Sequence, residues 1–90
     1  MITSTLNLLG FPAKDRITGF SGVIASACFD LYGCVQVVLA PPANEKGEIP
    51  DGKWFDVARI VTTSDARVMD PPRAWVNDHG PAEKPASSRY

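Results

Sequence analysis

Cys28, Cys34 and His79 are the residues of this chain whose types most readily do chemistry. Two cysteines and one histidine cannot close a structural zinc site, which takes four soft ligands in paired spacings, and two cysteines are too few for a disulfide framework. A thiol or serine nucleophile would need His79 as its base, but that histidine sits in the most polar part of the chain, where nothing would hold it in place. Asp30, Asp51 and Asp56 offer carboxylates, yet no spacing sets two of them apart as general acid and general base. The expectation is a protein that is not an enzyme and that carries neither metal nor cofactor.

The densest local signal is the run Lys14-Asp15-Arg16-Ile17-Thr18-Gly19-Phe20-Ser21-Gly22-Val23. A phosphate-cradling loop needs four residues between its glycines and then Gly-Lys-Ser/Thr opening a helix. Here two residues separate the glycines and a strand pattern follows, so the run reads as a charged rim that bends into a core strand. Binding chemistry fits the chain better than catalysis. Phe20, Tyr32, Trp54 and Phe55, with the cations Lys14, Arg16 and Arg59, have the makings of an aromatic cleft with a basic rim. Gln36 adds an amide that would fix a subunit contact or read the polar edge of a ligand. Two kinds of target suit such a cleft: an extended peptide or a protein from host or phage, or a small anionic molecule such as a nucleotide held between subunits. Nine basic against ten acidic side chains leave a net charge of -1, which gives no field to hold a nucleic-acid backbone.

These residues must be positioned by short elements. Ninety residues suffice for one small domain, and seven glycines with eight prolines interrupt the chain too often for a helical bundle. The longest apolar run, Val37 to Ala40, is far shorter than the roughly 18 residues of a membrane-spanning helix. No basic residue precedes Lys14, so a secretory leader is not expected and a cytoplasmic location is. Composition shifts near residue 63, which predicts a folded domain over 1–63 and a proline-rich, partly disordered tail over 64–90. Val68, Met69, Trp75 and Val76 could anchor the first half of that tail on the domain or on a neighbouring subunit.

Within the domain the punctuation predicts a first segment from Leu6 to Phe11 ended by Pro12, a turn, and a long strand from Phe20 to Asp30. A tight connection through Gly33, a strand from Cys34 to Ala40 stopped by Pro41-Pro42, a polar excursion, and a last strand from Lys53 to Thr62 follow. If the connection has five residues, Cys28 lies across from Cys34. Alternation places Val23, Ala25, Ala27 and Phe29 on the core face of the long strand and Val35, Val37 and Leu39 on that of the next. Ile24, Val38, Trp54 and Ile60 then form a second apolar face, more than one small interior hides, so the tail or a further copy of the chain is expected to cover it.

Three blocks in order carry a resemblance: the run from Lys14 to Val23, then Leu31-Tyr32-Gly33-Cys34-Val35-Gln36, then Trp54-Phe55-Asp56-Val57. They resemble a group of small bacteriophage and prophage proteins with the pattern K-D-x-V/I-T-G-F-x-G, a spaced G-C-x-Q and a terminal W-F-D. The similarity covers roughly residues 10–60. It implies a phage-derived protein of the bacterial host cytoplasm, with a small SH3-like or Tudor-like barrel, and brings no catalytic residues. The combined expectation is an all-β, SH3-like, strongly bent sheet or barrel of four to five strands, acting as a homo-oligomeric binding module. The alternative is a counter-defence sponge that sequesters a small anionic ligand between subunits.

Overall fold

The computed structural model describes residues 2–72; the tail positions Trp75, Val76 and His79 lie outside the described residues. A short helix α1 (Ile2–Leu6) leads into β1 (Pro12–Asp15), β2 (Ser21–Phe29), β3 (Val35–Ala40) and β4 (Lys53–Asp56). One 3-10 turn (Val57–Arg59) then delivers the chain into β5 (Ile60–Thr62). All the pairings are antiparallel, in the order β4-β3-β2-β1-β5. The fold is thus all-β with five strands, as the sequence leads one to expect, but it is an open sheet and not a closed barrel, with β4 and β5 at its two edges.

The turn residues do what their types allow. Gly19 takes φ 81° in the reversal after β1, where the Gly19 N–H donates to the Asp15 carbonyl at 2.9 Å. Gly22 acts through closeness instead: a Cβ there would stand 2.5 Å from the Ala40 carbonyl oxygen, where β2 passes from its pairing with β1 to its pairing with β3. The β2-β3 turn is tied by Asp30, whose Oδ1 accepts from the Tyr32 and Cys34 backbone N–H groups, each at 2.9 Å.

Several expectations are corrected. Pro12 opens β1 and does not end a segment, because a proline without an N–H is tolerated as the first residue of a strand. The residues before it form α1 and a run of turns. The predicted last strand is two strands, because Asp56 accepts from the Ala58 N–H at 2.9 Å and so caps a 3-10 turn in its middle. Cys28 lies opposite Gln36 and not Cys34, which falls in the turn.

The largest correction concerns β2. Its register against β3 shifts between Ile24 and Ser26, so Ala25 is an extra residue that the partner strand does not match. The bulge resets the alternation, so that Ile24, with Ala27 after the bulge, faces Leu39 and Val37. Ile24 is therefore core, at 1% exposed, while Ala25 is exposed. The buried cluster is Leu9, Ala13, Ile24, Val37 and Leu39, with Leu8, Phe20, Ala27, Phe55, Val57 and Ile60 packed against it. Ile60 joins this side too, so of the expected second face only Val38 and Trp54 remain together on the outer side.

Candidate functional site

Asp15 ends β1 with its side chain on the same face as Ala13, and it has no exposed surface. A carboxylate in that position must be paired and fully hydrogen-bonded. Arg59, delivered by the 3-10 turn, answers with a two-pronged contact: Nε donates to Oδ1 and Nη2 to Oδ2, both at 2.7 Å. Thr18 completes the site from the reversal after β1, its backbone N–H donating to Oδ2 at 2.9 Å and its hydroxyl at 2.5 Å. The Arg59 contacts outweigh the opposing effect of burial, and with Thr18 they hold the Asp15 carboxyl well below the usual carboxylate range. The same pairing raises the proton affinity of the Arg59 guanidinium, which also lies 5.3 Å over the Phe55 ring. Phe55 and Phe20 stand 5.5 Å apart at a tilt of 40°, closing the apolar side of the cluster.

The eight expected binding residues therefore do not form one cleft. Phe20, Phe55 and Arg59 come together, but within the Asp15 cluster, so that all three are committed to holding β1, β4 and the 3-10 turn in place. Arg16 is tied alongside by its backbone, its N–H donating to the Arg59 carbonyl at 2.8 Å, with its side chain exposed. Lys14 points to the opposite face of β1, between Ser21 and Val61.

Gln36 and Trp54 lie together on the outer face. Gln36 pairs with Cys28 and Asp56, and Trp54 pairs with Val38, so the amide and the indole are diagonal neighbours. Trp54 is 50% exposed on an edge strand whose other side has no ladder partner among the described residues. A cleft beside it is lined by Leu6, Leu9, Ala25, Ser26, Cys28 and Trp54, among others, and runs toward α1. Tyr32, 86% exposed, stands with Leu31 at the tip of the β2-β3 turn, separate from that face.

Arg67 is the residue that the sequence reading leaves out. Its Nε donates to the Leu9 carbonyl at 2.9 Å and its Nη2 to the Asn7 carbonyl at 2.8 Å, with the guanidinium 4.8 Å over the Phe11 ring. Its only advance signal is being a cation beside the Val68-Met69 pair in an otherwise polar stretch. Among the described residues no three His, Cys, Asp or Glu side chains come together as a metal site, and no helix is long and apolar enough to cross a membrane. No family model matches the chain, nor does any curated protein or solved structure.

Proposed function

We propose that this chain is a non-enzymatic accessory module of phage or prophage origin, at work in the bacterial host cytoplasm through protein-protein contacts. Its first partner in this reading is a second copy of itself, joined along β4. The observation that carries it is Trp54, a half-exposed indole on a sheet edge that no described residue pairs, beside the half-buried Val38. Exposed strand edges invite pairing, and tryptophan is among the residues richest in contact energy when an interface covers it. A two-fold axis at the β4 edge continues the sheet from copy to copy and places the two Trp54 side chains on one face. The resemblance of the three sequence blocks to phage and prophage proteins supplies the proposed origin.

The alternative, a sponge for a small anion between subunits, has less to stand on. Arg59, the cation nearest the aromatic pair, already spends two of its donors on Asp15. Light scattering coupled to size exclusion tests the main reading: the full chain should run above monomer mass at high micromolar concentration, and Trp54→Ala should return it to monomer with its circular dichroism unchanged. A wild-type chain that stays monomeric throughout would sink it. A thermal shift with nucleotides, absent with proteins from the host, would favour the sponge.

A further inference from the structure

Two loops of this fold share one hydrogen-bonding scheme. In the β2-β3 turn the Asp30 side chain accepts from the N–H groups of Tyr32 and Cys34, the Gly33 N–H returns to the Asp30 carbonyl, and Gly33 has φ 88°. In the excursion between β3 and β4, Asn44 does the same: its Oδ1 accepts from the N–H groups of Lys46 and Glu48, its carbonyl from Gly47, and Gly47 has φ 82°. Each loop closes with the N–H of its first residue donating to the carbonyl of its fifth, at 3.1 Å and 2.8 Å. The scheme asks for Asp or Asn at the first position and glycine at the fourth, and it leaves the second and third side chains free. In the excursion those two are Glu45 and Lys46, which belong in water. In the β2-β3 turn they are Leu31 and Tyr32, 89% and 86% exposed on a backbone that has no need of them.

The β4 edge by itself is too small for a stable contact. Its four residues run only about 13 Å, and Trp54, already half covered, has on the order of 100 Å² left to bury. A stable dimer covers about 800 Å² of each copy. Because β3 and β4 are antiparallel, the β2-β3 turn lies at the Asp56 end of β4 and the excursion at its Lys53 end. A two-fold axis beside β4 reverses the partner's strand, so the excursion of one copy comes to the end where the other carries Leu31 and Tyr32. That excursion has an exposed apolar side chain of its own, Ile49, followed by Pro50. Given the β4 contact, on which this rests, we propose that Leu31 and Tyr32 of each copy pack on Ile49 and Pro50 of the other, and that this pair of contacts supplies the area the ladder lacks. The hydrogen bonds around Asp30 fix the tip beforehand, so its backbone has little freedom left to lose on docking.

Leu31→Glu with Tyr32→Lys writes the dipeptide of the excursion into the β2-β3 turn. In the full chain it should leave circular dichroism unchanged and weaken the dimer about tenfold or more by sedimentation equilibrium. Ile49→Ser should weaken it to a similar extent, and the combined variant should lose little beyond either, since both remove the same contact. Glu45→Ser with Lys46→Ser, on the matching backbone, should leave the affinity as it was. In a wild-type mixture of isotope-labelled and unlabelled chains, filtered nuclear Overhauser contacts should join Leu31 methyl groups to Ile49 methyl groups between copies. In a dimer that Trp54→Ala breaks, either an unchanged affinity of the folded tip variant or the absence of those contacts overturns the proposal and leaves the β4 contact standing. A wild-type monomer, or a dimer indifferent to Trp54→Ala, overturns the β4 contact and this proposal with it.

Discussion

A carboxylate cut off from water needs a donor for each oxygen, and Asp15 takes one residue from its own turn and another 44 positions away. Its folded-state proton affinity is depressed below the unfolded value of about 3.9, so between the two the unfolded chain binds more protons. The stability that Asp15 contributes is accordingly complete above about pH 4 to 5, and is lost as pH falls through that range toward the folded value. Chemical denaturation across pH 2 to 7 should show this loss in the wild type. Asp15→Asn should be clearly less stable at neutral pH, because Arg59 loses its counter-charge, and should be flatter over the acid window. A parallel acid loss in both proteins would move its cause to other carboxylates. This cluster was not legible in the sequence. The run Lys14-Asp15-Arg16 reads as a charged rim in a turn, because the strand that turns Asp15 inward is defined by its pairing with β2 and β5, and nothing local ties Asp15 to Arg59.

At the scale of elements, punctuation read well except at Pro12, and register did not. Pro41-Pro42, Gly33 and Gly47 mark boundaries because proline cannot donate to a ladder and glycine accepts positive φ, and both effects are local. The bulge at Ala25 is set by how β2 lies on β3, and one extra residue exchanges the two faces of everything before it; hence Ile24 is core where strict alternation puts it outside. The same limit hid the strap after β5, which the Val68 N–H ties to the Gly10 carbonyl and whose Arg67 anchors reach back 58 and 60 positions. Two glycine substitutions separate backbone strain from this docking. Gly10→Ala should cost about 1–2 kcal/mol for its left-handed backbone, and more for displacing Met69. It should also speed hydrogen exchange at the Val68 amide. Gly19→Ala, where an added Cβ meets nothing within 4 Å, should bear the backbone cost alone and leave Val68 protected. Equal loss of protection in both would mean that the strap opens only with the whole domain.

For the molecule as a whole, a small sheet with few fully buried side chains has little stability in reserve, and covering Trp54 adds apolar burial that the single chain lacks. If native copies associate and unfolded ones do not, the equilibrium obeys mass action, and each tenfold rise in concentration favours the assembled state by about 1.4 kcal/mol of dimer. For a domain of this size that raises Tm by roughly 3–6 °C per decade once dimer dominates. The formal net charge of -1 and the apolar character of Val38 and Trp54 leave little Coulomb interaction for salt to screen, so the increment should persist when ionic strength rises from about 0.1 to 1 M. Calorimetry over two decades of concentration would read both effects. Trp54→Ala should abolish the concentration dependence and keep a single cooperative transition. A wild-type Tm that does not move with concentration would mean that the indole on β4 awaits a different protein, and that this chain meets it as a monomer.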